Sequence, residues 1–489
     1  MAKKRKRAKA KPSPRGLAWV TEARRRDGSA ATRYAADVIR GRILAGPWVR
    51  LAAERHLRDL LDAKDRGLHF DRAAADHACG FFPQFLKLAE GRFAGRVFQL
   101  EPWQAFIVGA IFGWKDAAGA RRFQTAYIEV GKGNGKTPLA AGLGLYGLLA
   151  DGEASAEIYS AATAREQARI LWLDARKMVA ASPELAAHVR VSVNNLAEAD
   201  GYGYFRPVSS EHRGLDGKRV HMALIDELHE HPNDLVVEKM RAGMKGRRQA
   251  LQFEITNAGH DRTSICWQHH DYSGRLLAGT VENDHWFAYV CALDDDDQPF
   301  DSEASWIKAN PNLGVSIEPE YLRGQVREAI GMPSKAAIVR RLNFCEWTRT
   351  QSHAIDLAAW GQLPAIGDRV LDGVPAYGGL DLGQSNDFSA FAILWALPGG
   401  EYAARVRYWL PAEAVDREQD RPVEAWVNAG LIEISEGAVT DYDVIEDAVR
   451  EDCLAAGVRE CAFDRRFAQQ LAHHLVGDGL IMVDQPQGR

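Results

Sequence analysis

The chain has 489 residues, 61 Lys and Arg against 66 Asp and Glu, and a formal net charge of −5. Hydrophobic residues make up 46% and charged residues 26%, which excludes a wholly disordered, collagenous or coiled-coil chain, and at roughly 150 residues per domain the length predicts about three domains. No apolar run approaches the roughly 20 residues that span a bilayer, no apolar core follows the charged N-terminus as in a secretory signal, and scattered cysteines without a CxxC pair fit a reducing cytoplasm rather than a disulfide framework or a zinc knuckle.

Residues 1–26 hold eleven Lys/Arg and one acid, Glu22, a balance of +10 that leaves −15 for the rest. This stretch reads first as a solvated, disordered arm; it also suits contact with nucleic acid phosphates. Residues 31–95 space apolar residues at three and four and predict helices. FQLEPWQAFIVGAIFGW (98–114) reads as a strand-poor entry into the next unit.

From Phe123 the pattern changes. AYIEV (126–130), AEIYSAAT (156–163), VHMALIDE (220–227) and LQFEITNAG (251–259) read as strands, and residues 137–150 and 164–182 as helices. Strands alternating with helices predict an α/β unit with a parallel sheet. Asp294–Asp297 reads as a solvated loop, and 300–365 as a linker subdomain containing WIKANPNLG. A second α/β unit begins near Pro375 with three strands in an antiparallel meander. A helix (DYDVIEDAVREDCLAAG), a strand (VRECAFD), a helix (FAQQLAHHLVGDG) and a strand (LIMVDQ) follow.

Between the first strand and helix lies Gly131-Lys132-Gly133-Asn134-Gly135-Lys136-Thr137. Glycines let backbone N–H groups curl round a phosphate, and the helix N-terminus adds its dipole. Lys136 would reach the β- and γ-phosphates of ATP, and Thr137 would place its hydroxyl on Mg²⁺. The pattern departs from G-x-x-x-x-G-K-[ST] in having Val130 at the first position. MALIDE delivers Asp226 and Glu227 to a strand end, Asp226 as a Mg²⁺ ligand and Glu227 to orient and deprotonate the attacking water. Both motifs in order, about 90 residues apart, favour an ATPase. Thr256-Asn257 reads as a γ-phosphate sensor or as a polar strand end. Arg213 reads as an arginine finger, in cis or across a subunit boundary, or as a surface arginine. Gln104 is a candidate for adenine recognition. His229, Glu230 and His231, and the His269-His270-Asp271 cluster, lack metal-ligand spacing and are read as non-metal.

In the second unit AYGGLDLG sets Asp381 in an apolar run, where an acid is costly unless paired or cation-bound. VRECAFD ends in Asp464. Two acids on neighbouring strands can hold two divalent ions about 4 Å apart for phosphodiester cleavage; the alternative is two acids that cap helices. Asp387 reads as an added ligand or as a turn cap.

Together LEPWQAFI, AYIEVGKGNGKTPLAAGLGLYGLLADG, IYSAATAREQAR, SSEHRGLDGKRVHMALIDELHEH, ITNAG, WIKANPNLG and GLDLGQSNDFSA resemble the large terminase subunit of tailed bacteriophages, over roughly residues 40–485. The resemblance implies a RecA-like P-loop ATPase of the additional-strand type, then a ribonuclease-H-like nuclease. It divides the chain into a basic tail (1–30), a helical segment (31–95), the ATPase (96–295), a linker subdomain (296–370) and a nuclease (371–489). It assigns Lys136 and Thr137 to Walker A, Asp226 and Glu227 to Walker B, Thr256, Asn257 and Ala258 to the coupling motif, Arg213 to the trans-acting arginine, and Asp381 and Asp464 to the nuclease metals, with Mn²⁺ as an alternative to Mg²⁺ there. The family's third nuclease acid, in a segment like I-D-G-x-x-A, has no match before Arg489, so the nuclease is expected to be incomplete. Lys132 stands where relatives often carry an arginine-containing loop. The implied partners are double-stranded DNA, the procapsid portal, the small terminase subunit and further copies in a ring. The implied place is the bacterial host cytoplasm, transiently at the portal, without a membrane. A cellular helicase or restriction-type translocase would instead need a second RecA-like lobe, and a non-catalytic assembly protein would show no ATP turnover.

Overall fold

The computed structural model describes residues 14–209, 217–348, 360–365, 371–385, 387–417 and 423–485. The chain divides into two compact units, residues 1–357 and 358–489. None of the helices among the described residues is long and apolar enough to cross a membrane, and all six cysteines are free thiols.

The first unit opens with α1 (Ala18–Arg26), α2 (Ala30–Ile39), α3 (Pro47–Asp62) and α4 (Arg72–Phe85). The basic tail expected over 1–30 is therefore helical and packed from Ala18 onward; residues 1–13 lie outside the described residues. The reason is a short apolar stripe hidden among arginines. Val20 and Ala23 are fully buried, and Arg26 donates to the carbonyls of Leu60 and Leu61 on α3. Next comes α5 (Pro102–Gly113), every residue of which is buried from Trp103 on.

Eight strands form the main sheet: β1 (Thr125–Glu129), β2 (Glu157–Ala162), β3 (Val189–Ser192), β4 (Asn195–Glu198), β5 (Tyr204–Ser209), β6 (Val220–Asp226), β7 (Leu251–Thr256) and β8 (Trp286–Val290). Their order is β8-β1-β7-β6-β2-β5-β4-β3, parallel from β8 to β5, with β4 and β3 as an antiparallel edge. β1, β6, β7 and β8 are buried along their whole length, which is why β1, β6 and β7 read as largely apolar runs. The helices α6 (Lys136–Leu149), α7 (Arg165–Ala181), α8 (Pro183–His188), α9 (Leu235–Gly243) and α10 (Ile265–Leu277) connect them. Adjacent parallel strands bring the carboxyl ends of β1, β7 and β6 side by side, the edge at which such sheets bind ligands.

Glu129 on β1 and Glu254 on β7 are carboxylates fully buried within this sheet, and buried acids need partners. The paired histidines of α10 supply them. His270 Nδ1 lies 2.8 Å from Glu129 and His269 Nδ1 2.7 Å from Glu254. The His269-His270 pair thus has a structural role.

His56 on α3 offers a separate test of the helical layer. Trp114 Nε1 donates to His56 Nδ1 at 3.1 Å, so the ring hydrogen sits on Nε2, 2.9 Å from Thr32 Oγ1. Complete burial pushes His56 down to about 4. The unfolded chain therefore takes the proton first. Stability is fully present above pH 6.5 and falls as the pH drops through 4, by about 3 kcal/mol. Urea unfolding of wild type and His56→Gln between pH 7 and 4 measures this: the wild type should lose more stability than the variant, and parallel pH profiles would refute the assignment.

The segment read as a linker subdomain is built into the first unit. α11 (Trp306–Ala309), α12 (Pro319–Gly331) and α13 (Pro333–Phe344) follow β8. Trp306, Ala309, Ile317, Leu322, Val339 and Phe344 lie in the same continuous core as the sheet.

The second unit holds β9 (Ala376–Asp381), β10 (Ser389–Ala396), β11 (Tyr402–Pro411), β12 (Glu433–Ser435), β13 (Val458–Phe463) and β14 (Met482–Asp484), in the order β12-β11-β10-β9-β13-β14. β9, β10 and β11 form the expected antiparallel meander, while β13 runs parallel to β9 and β14 to β13. Here α14 (Ala412–Arg417), α15 (Val423–Asn428), α16 (Tyr442–Ala456) and α17 (Arg465–Gly477) flank the sheet. Trp395, Phe391, Ile393, Ile445, Val449 and Leu475 centre the core.

Candidate nucleotide and metal sites

The chain leaves β1 through Val130–Gly135 and enters α6 at Lys136. Gly133 (φ 87°) and Gly135 (φ 78°) adopt the left-handed backbone that glycine tolerates best. A Cβ on Gly131 would come within 2.4 Å of Asn310 Oδ1. At the departing first position, Val130 is buried and its N–H donates to the Thr256 carbonyl at 3.1 Å.

The loop is clasped by Asn310-Pro311-Asn312. Gly131 N–H donates to Ala309 O at 3.1 Å and Lys132 N–H to Leu342 O at 2.8 Å. The Asn134 side chain is fully buried; its Nδ2 donates to Asn310 Oδ1 at 3.1 Å and its Oδ1 accepts from Asn312 N–H at 2.9 Å. Asn312 Nδ2 donates to Asn134 O at 3.0 Å and Trp103 Nε1 to Asn312 Oδ1 at 2.6 Å. Asn134 thus shapes the loop with its side chain. Asn310 and Asn312 are the residues that sequence reasoning missed; WIKANPNLG entered the resemblance, but nothing in its spacing says that it folds back onto Gly131, nearly 180 residues earlier.

Lys136 is buried and donates to Val130 O at 3.0 Å. Thr137 Oγ1 donates to Asp226 Oδ2 at 3.2 Å, so the two expected Mg²⁺ ligands touch. Burial, then the Glu227 charge, push Asp226 up to about 7; a cation beside it would offset both effects. Among the described residues no three His, Cys, Asp or Glu side chains group as a metal cage. One buried carboxylate and one hydroxyl fit Mg²⁺, which is held by few protein oxygens and completes its shell with phosphate and water.

Glu227 follows at φ 48°, ψ 55°, a left-handed conformation that a non-glycine residue keeps only when its surroundings enforce it. Thr256 and Asn257 are buried at the end of β7, beside Asp226 in the sheet register. Gln104 on α5 is buried, and its Oε1 accepts from Glu101 N–H at 3.0 Å. It lines a cavity of about 250 Å³ with Phe93, Phe98, Gly135, Pro138 and Met178. Lys132 is exposed. Arg213 lies outside the described residues.

In the second unit Leu380 pairs with Phe463, so Asp381 and Asp464 stand together at the carboxyl edge of β9 and β13. Asp381 is exposed. Asp464 caps α17, accepting from Arg466 N–H at 3.0 Å. Three residues after Asp464, Phe467 takes φ 71°. Asp387 accepts from Phe388 N–H at 2.9 Å, as a turn cap does. A pair of oxygen donors on one edge suits a hard divalent cation that completes its shell elsewhere. The meander also answers the helicase alternative, since this sheet is not a second RecA-like lobe.

Residues 102–275 match the profile of the terminase large subunit, ATPase domain, and residues 280–489 that of the terminase large subunit, endonuclease domain. The chain belongs to the terminase large-subunit family. It is 28% identical over 305 residues to Protein YmfN of Escherichia coli strain K12, covering 60% of this chain and 66% of that one. It is 26% identical over 427 residues to the terminase large subunit of Enterobacteria phage HK97, covering 84% and 81%. The crystal structure of the HK97 bacteriophage large terminase resembles it in fold, with a TM-score of 0.50 at 23% identity over 85% of each chain. The family pairs an ATPase with an endonuclease that use a nucleotide and divalent metal and act on phage DNA.

Proposed function

We propose that this terminase chain is a packaging motor that hydrolyses ATP to drive double-stranded DNA into procapsids and cuts concatemeric DNA at a second, metal-dependent site. The observation that carries the motor half is the contact between Thr137 at the head of α6 and Asp226 at the end of β6, with Lys136 behind and Glu227 beside. In this reading Lys136 holds the β- and γ-phosphates and Glu227 orients the attacking water and takes its proton. Thr137 and Asp226 would hold Mg²⁺, which supplies neutralisation of phosphate charge. The cavity bordered by Gln104, Gly135 and Pro138 takes the adenine. Asp381 and Asp464 would hold the nuclease metal, Mg²⁺ or Mn²⁺. The partners are the portal, the small terminase subunit and further copies of the chain in a ring, in the host cytoplasm, with Arg213 reaching a neighbouring subunit's nucleotide.

Phosphate release from ATP by the full chain, with and without double-stranded DNA and portal-bearing procapsids, tests this. Turnover should rise with DNA and procapsids. No turnover under any of these conditions would replace the motor with a non-catalytic assembly role.

A further inference from the structure

His229 sits where the strand-end acids meet the end of β7. Its side chain is 6% exposed. Its backbone N–H donates to Thr256 Oγ1 at 3.1 Å, and its ring Nδ1 lies 3.1 Å from the same oxygen. Nδ1 is also 3.3 Å from Glu227 Oε2, close but not aligned as a hydrogen bond. On the other edge Nε2 is 2.9 Å from Glu230 Oε1, on a carboxylate that is 58% exposed. Thr256 in turn binds the root of the phosphate loop, since its carbonyl accepts the Val130 N–H. Its hydroxyl donates to Asn257 O at 2.8 Å.

We propose that His229 is a positioning residue for ATP hydrolysis, whose Nδ1 edge links the Glu227 carboxylate to the Thr256 hydroxyl so that the end of β7 sets where the general base points. The inference rests on the ATP-hydrolase reading above. A neutral imidazole has one donor and one acceptor nitrogen. With the hydrogen on Nδ1 the ring ties down Glu227 or Thr256. With the hydrogen on Nε2 it donates to Glu230, and Nδ1 becomes an acceptor. The Thr256 hydroxyl then turns from Asn257 O to Nδ1, and Glu227 is left to the attacking water. Exchange between the two states moves one proton between ring nitrogens through solvent at Glu230 and leaves the net charge unchanged. A shift of Thr256 relative to Val130 would therefore change which partner Nδ1 serves. The left-handed Glu227 backbone keeps its carboxylate within reach of that edge.

Substitutions in the full chain separate the two edges. Asn places its polar group near the Nδ1 position, Gln near Nε2, and Ala removes both. His229→Ala and His229→Gln are expected to lower kcat roughly ten- to a hundredfold while KM for ATP stays within about threefold, as misplacement of a reacting group does. His229→Asn should keep most of kcat. Thermal melts and binding of a fluorescent ATP analogue check folding and occupancy. Wild-type kcat in His229→Ala overturns the proposal. So does a His229→Asn enzyme as slow as His229→Ala, or a rise in KM that tracks kcat in all three variants, which marks mere support of the fold. Lys136→Ala run alongside separates the levels: undiminished turnover there overturns the ATP-site reading itself.

Discussion

ATP turnover by Lys136→Ala is expected to fall at least about a thousandfold, some 4 kcal/mol of transition-state stabilisation, because phosphoryl transfer is catalysed by positioned charge rather than by covalent chemistry. The structure sharpens the reason. The ammonium is buried and held by the carbonyl of Val130, so its position is set before any nucleotide arrives. It also opposes the rise of Asp226, which burial and Glu227 push toward neutrality. Removing it therefore takes the phosphate's counter-charge away and leaves the expected Mg²⁺ carboxylate harder to ionise. Lys136→Arg should not rescue, since a planar fork does not replace a compact ammonium in a buried cradle. Phosphate release under saturating ATP and DNA measures the loss, and a thermal melt of the same preparation serves as the folding control. Turnover within about threefold of wild type would remove Lys136 from the mechanism.

Much of this site was legible because its chemistry is local. GKGNGKT needs only its own glycines and the strand before it, and MALIDE carries its acids at a strand end. Of the parallel strands, β1, β6 and β7 were legible as largely apolar runs because they are buried on both faces. What escaped the reading is non-local or lacks a period. α5 is buried all round, and a helix without a polar face shows no amphipathic stripe. β8 joins the sheet next to β1 about 160 residues after it. Asn310 and Asn312 become site residues only once the chain after β8 returns to the phosphate loop. His229 carries a signal, two residues past Glu227, but its spacing bears only on metal ligation, whereas its partners are an acid and a hydroxyl on another strand. The basic N-terminal stretch misled in the other direction, since charge count concealed Val20 and Ala23.

The second large effect concerns the carboxylate edge. Asp381→Ala is expected to lower Mn²⁺- or Mg²⁺-dependent nicking of plasmid DNA by at least about a hundredfold, since a cleavage site built on metal ions loses both its nucleophile and its charge stabilisation with a ligand. Asp381 is the cleaner probe of the pair. It is exposed at the end of β9, so its removal should leave stability within about 0.5 kcal/mol. Asp464 also caps α17, and replacement by Ala would cost about 1 kcal/mol in the cap alone. Asp464→Asn avoids that confusion, because asparagine caps as well as aspartate while donating a poorer oxygen to a hard cation. The two variants should therefore fail alike in cleavage, melt like the wild type and hydrolyse ATP at the wild-type rate. Cleavage by Asp381→Ala at the wild-type rate would move the nuclease elsewhere in the unit. A loss confined to Asp464→Ala, spared in Asp464→Asn, would reduce the second acid to the helix cap that its bond to Arg466 already makes it.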